Sequence, residues 1–136
     1  MKVLRLFTSL ALLFTIYSCS TSQEVSSHEN YSPNVTPKVV QLTQIPGEFT
    51  NGNIKLKPGA YRFEVKNDHA GKDVGLVLAL KKDEISEADH IQNAYVSELV
   101  KEGETVQTKG DVMLKKGEYV YFCPLNPTPQ YTITVE

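Results

Sequence analysis

Lys57-Pro58-Gly59-Ala60-Tyr61-Arg62-Phe63-Glu64-Val65-Lys66-Asn67 carries the pattern that decides the fold class. From Tyr61 to Lys66, apolar and polar residues alternate, which is the period of a strand with one buried face. Pro58-Gly59 is turn chemistry. Before it, Asn53-Ile54-Lys55-Leu56-Lys57 alternates in the same way. The two runs predict Ile54, Leu56, Tyr61, Phe63 and Val65 on a buried side.

Working outward, short β-rich runs recur between turn residues. Val39 to Thr43 is a candidate first strand, and Val74 to Leu80, almost wholly apolar, predicts a central strand covered on both faces. Thr105 to Leu114, Tyr119 to Cys123 after the Lys116-Gly117 turn, and Tyr131 to Val135 complete the set. Between them, Ile85, Ala88, Ile91, Ala94 and Tyr95 fall at helical spacing, and Ser86-Glu87-Ala88-Asp89 resembles a helix start. This predicts a short helical excursion around 83–98. About seven strands with non-adjacent apolar runs to pair imply an all-β, Greek-key β-sandwich over residues 38–136. At 136 residues the chain has room for one such domain.

The N-terminal part is of another kind. Lys2 and Arg5 give a basic start, and the apolar run from Leu6 to Ile16 is about half of the roughly 20 residues a bilayer-spanning helix needs. Residues 1–18 therefore read as an export signal. Its end, Ile16-Tyr17-Ser18-Cys19, resembles the bacterial lipobox. That resemblance implies cleavage before Cys19, lipid on Cys19, and an exported protein held to a bacterial membrane on the periplasmic side or at the cell surface. The alternative is an ordinary secretory signal that contains a cysteine. Residues 19–37 are polar and Ser-rich, too poor in apolar groups to offset the entropy of ordering, and predict a flexible tether. His28 lies within it as a solvated histidine.

Loss of Lys2 and Arg5 takes the formal net charge from −2 to −4. With no Lys/Arg cluster left, nucleic acid is not an expected partner, and attachment to the membrane falls to the N-terminal lipid. No nucleophile elbow, HExxH, phosphate-binding glycine loop or redox cysteine pair occurs, so no catalytic residues are assigned and no enzyme is expected. Glu84, Glu87 and Asp89 read as a solvated acidic face.

Two motifs together resemble the cupredoxin-like domains. One is Lys57 to Asn67, similar to an early strand ending in Asn. The other is Leu114-Lys115-Lys116-Gly117-Glu118-Tyr119-Val120-Tyr121-Phe122-Cys123, similar to a late L-x-x-G-x-Y-x-Y-x-C strand. The resemblance covers residues 38–136 and implies a copper protein whose site needs two imidazoles, a thiolate and a weak axial ligand such as Met. It places the thiolate at Cys123 and the first imidazole near Asp73 or Val74, where there is none; the nearest is His69. The loop Pro124 to Tyr131, where the second His and the Met belong, contains neither. The resemblance thus implies the fold without a complete type 1 copper set, and no cofactor is expected.

Cys123 reads first as a small buried hydrophobe at a strand end, and alternatively as a metal ligand with His69 or as a redox or intermolecular thiol. His69 alone reads as a loop residue. Met113 reads as core and His90 as solvated. Pro124, Pro127 and Pro129 predict a stiff, preformed loop. The first expectation is an anchored binding or structural module of the cell envelope. It would meet an envelope protein through the loops near Asn67–Lys72 and Pro124–Gln130. The second is a copper-binding or electron-transfer protein with an altered site at Cys123 and His69.

Overall fold

The computed structural model describes residues 35–136. The signal segment, Cys19, His28 and the tether before residue 35 lie outside the described residues. Nine strands occur among the described residues: β1 (Lys38–Ile45), β2 (Glu48–Phe49), β3 (Ile54–Leu56), β4 (Gly59–Asn67), β5 (Val77–Leu80), β6 (Thr105–Gln107), β7 (Val112–Leu114), β8 (Gly117–Phe122) and β9 (Tyr131–Val135). They form two sheets. One has the order β2-β1-β4-β6, with β7 also paired to β4; the other has the order β3-β9-β8-β5. β1 runs parallel to β4 over Lys38–Gln44, and β3 runs parallel to β9, while the other pairs are antiparallel.

The alternation that identified β4 sets its packing. Tyr61, Phe63 and Val65 are buried and join Leu42, Leu78, Leu114, Ile133 and Tyr121 in one core, against which Ile54 and Leu56 pack half-buried. Tyr121 is fully buried, and its hydroxyl donates to the Gly52 carbonyl. Burial pushes its pKa well above the usual 10.0, with Tyr131 adding to the rise. Phe49 meets the Tyr121 ring edge-on, with centroids 4.9 Å apart. The amide of Phe49 donates to the Tyr131 hydroxyl, which holds the two-residue β2 in place.

Four expectations need correction. The apolar run Val74–Leu80 is not a central strand: only Val77–Leu80 is extended, and it lies at the edge of its sheet against β8. It is apolar on both faces because the following segment covers it. Ile91 N donates to Leu78 O at 2.8 Å, and His90 bridges Ala79. That segment forms two 3₁₀ turns, Glu87–Asp89 and Gln92–Ala94. His90 is accordingly half-buried rather than solvated, with Nδ1 2.7 Å from the Tyr95 hydroxyl. Thr105–Leu114 is two strands, because Thr108 turns its hydroxyl to the Phe63 amide and Asp111 pairs with Arg62. Met113 is 46% exposed, since the alternation of β7 turns Val112 and Leu114 inward instead.

The first 3₁₀ turn is fixed by charge. The Asp89 carboxylate accepts from Lys82 Nζ and, at 2.8 Å each, from the backbone N and the hydroxyl of Ser86. Lys82 first, then Ser86, hold its pKa far below the usual 3.8. A depressed carboxyl contributes stability above its unfolded value and loses it as pH falls. Urea titrations of Asp89→Asn are therefore expected to show a shallower loss of stability below about pH 3.8 than the parent chain. Identical acid limbs would mean that the turn does not couple to folding.

Candidate functional site

The site grows from the ends of β1, β4 and β8. Cys123 follows β8 and is buried, 1% exposed. Its Sγ accepts from two backbone amides at 3.3 Å, those of Gly75 and Asn126. Cys123 N donates to Thr128 Oγ1, and Thr128 N returns to Cys123 O, closing the proline-containing loop on itself. These two bonds tie Thr128, inside the Pro124–Gln130 loop, back to the residue that precedes it.

Gln44 and Asn126, both buried, complete the arrangement. Gln44 Nε2 donates to Gly75 O at 2.7 Å, and Asn126 Nδ2 donates to Gln44 Oε1 at 3.2 Å. A closed ring results, running Cys123, Gly75, Gln44, Asn126 and back to Cys123. Asn126 also receives Gly47 N at Oδ1 and gives its second N–H to Ile45 O. Among the described residues, no buried side-chain nitrogen or oxygen lacks a partner. Satisfied networks of this kind fix one arrangement of the loops, because each group left unpaired would carry its desolvation cost.

Asn67 does the same for the neighbouring loop. Its Nδ2 donates to Lys72 O and Val100 O, and its Oδ1 accepts from Ala70 N. The tight turn that follows puts His69 in the left-handed region, φ 59°, with its side chain 81% exposed and Nδ1 3.0 Å from Asp68 Oδ1. His69 thus faces solvent, while Cys123 is sealed beneath Gly75 and Asn126. Val74, beside the thiol through Gly75, is fully buried and pairs its backbone with Val100 at 2.9 and 3.0 Å.

These donors do not fit a type 1 copper set. Val74 offers no ligand atom, and the Asn126 amide is engaged on every side. Among the described residues, no group of three His, Cys, Asp or Glu side chains is placed to hold a metal ion. The sequence reading had located Cys123 and missed both Gln44 and Asn126. The signal for Gln44 was its place two residues after Leu42, on the inward phase of β1.

No protein-family model matches the sequence, and no curated protein matches it. Solved structures do. Auracyanin A, a "blue" copper protein from the green thermophilic photosynthetic bacterium Chloroflexus aurantiacus, superposes with a TM-score of 0.57 at 16% identity, over 74% of this chain and all of its own. Auracyanin B gives 0.59 at 17% identity over 76% of this chain and 92% of its own. Dithionite-reduced auracyanin from the photosynthetic bacterium Roseiflexus castenholzii gives 0.52 at 11% identity, over 75% of this chain and 99% of its own. The domain is therefore an all-β, cupredoxin-like sandwich. At such identities the likeness speaks for the fold alone.

Proposed function

We propose that this chain is an exported bacterial lipoprotein, anchored through Cys19, whose cupredoxin-like domain is a non-catalytic binding module of the cell envelope. The observation that carries this reading is the closed ring of Cys123, Gly75, Gln44 and Asn126, which occupies the end of the sandwich where a metal-binding cupredoxin needs imidazoles. A ring whose polar groups are all paired is a finished structural element. It preforms the Pro124–Gln130 loop as a surface for a partner.

The competing reading, copper binding or electron transfer through Cys123 and His69, draws on the fold likeness. It requires His69 to leave Asp68 and reach a thiol that its own loops enclose. Titration with Cu(I) and Cu(II), read by retained metal and visible absorption, separates the two. The expected result is no stoichiometric copper after desalting. A stoichiometric complex lost in Cys123→Ser would replace the present reading with copper handling. For the anchor, labelled fatty acid is expected to enter the parent chain and not Cys19→Ala; equal labelling would remove the lipoprotein assignment.

A further inference from the structure

Beside the ring, on the outer side of Gly75, lies a half-open cleft of about 350 Å³. That volume lies at the lower end of small-ligand pockets, roughly 300–1,000 Å³. Its lining is almost wholly apolar, formed by Gly75, Tyr95, Val96, Leu99 and Leu125 among others, with Lys109 as the one charged side chain. Leu99 and Leu125 are 50% and 47% exposed, so the cleft keeps two large apolar side chains partly in water. Tyr95 is held by three contacts. His90 holds its hydroxyl, Lys109 N donates to its carbonyl at 2.7 Å, and Lys109 Nζ lies 5.6 Å from its ring centre. Among the described residues, no carboxylate pairs with Lys109.

Gly75 is the informative residue. Its φ is not positive, so the backbone there does not require glycine. A Cβ at this position would meet Leu125 Cδ1 and Leu99 Cδ2 at 3.9 Å and Val96 Cγ2 at 4.0 Å, all ordinary contacts. Alanine would fit, fill the floor of the cleft and reduce the entropy of the unfolded chain. The glycine forgoes that stabilisation and leaves a hollow, the pattern expected where binding opposes stability.

We infer that this cleft binds a free medium-chain carboxylic acid, with its hydrocarbon body against Leu99, Leu125 and Val96 over Gly75 and its carboxylate at Lys109. A single cation that no carboxylate neutralises, at an apolar cleft, matches a monoanionic amphiphile. The inference rests on the binding-module reading and names the class of ligand.

The test uses decanoate as probe, on the exported chain carrying Cys19→Ala so that no acyl chain of its own competes, with a chelator present. Backbone amide shifts at Gly75, Leu99 and Leu125 are expected to saturate. Gly75→Ala should weaken binding at least tenfold with its thermal midpoint unchanged or raised, and Lys109→Met should weaken decanoate about tenfold while leaving decanol unaffected. No saturable shift, binding unaltered in Gly75→Ala, decanol bound as tightly as decanoate, or a response only to phosphatidylglycerol vesicles would each overturn the inference. None of these outcomes bears on copper, so the proposed function stands or falls separately by the metal titration.

Discussion

Asn126→Ala is expected to destabilise the domain by about 3 kcal/mol, read as a lowered urea midpoint with unchanged slope. The deletion leaves Gly47 N, Ile45 O and Gln44 Oε1 without the partner each has in the ring region. An abandoned buried group carries a penalty of about 1–3 kcal/mol, and only some of the three can recruit water through the opened loop. Asn51 supplies the control. Its carboxamide likewise bridges two backbone groups, Thr43 N and Gln41 O, but in an exposed setting where water replaces it. Asn51→Ala should cost less than about 1 kcal/mol. Equal costs for the two variants would show that the ring does not hold the loops.

The second large effect is a gain. The Cys123 sulfur accepts from the backbone amides of Gly75 and Asn126, so Val74 and Asn126 stand next to or at a residue bonded to it. Val74→His combined with Asn126→His therefore supplies two imidazoles beside a thiolate, the donor set that copper of the blue type requires. The double variant is expected to retain about one copper per chain and to absorb in the visible through its thiolate. Neither single variant should do so, and a Cys123→Ser background should abolish the effect. Some stability is lost with the Asn126 amide, so circular dichroism must establish that the variant is folded. A folded double variant that retains no copper would show that the loops hold these positions too far from the sulfur.

Much of the architecture was legible because it follows from alternation. Tyr61, Phe63 and Val65 were assigned inward on period alone, and they are buried. What escaped was context. Continuous apolar character marks a segment covered on both sides, and it does not say whether strands or a loop do the covering, so the run Val74–Leu80 reads as a central strand although only Val77–Leu80 is extended, at an edge. The break at Thr108–Asp111 depends on partners supplied by β4, and β2 is too short to carry a period. At the site, Cys123 stood out by its motif. Asn126 did not, because an asparagine among prolines looks like any loop residue until Gln44, 82 positions earlier, is seen to face it.

That separation governs when the ring can form. β1 must find β4, β3 must wait for β9 near the end of the chain, and Gln44 meets Asn126 only after both sheets have closed their long loops. Loop-closure entropy precedes any reward from such pairings, which places folding in the millisecond-to-second range of non-local β-proteins. An interaction that forms after the transition state acts on the reverse step. The ring is thus a kinetic latch: its loss should accelerate unfolding and leave the refolding rate nearly untouched.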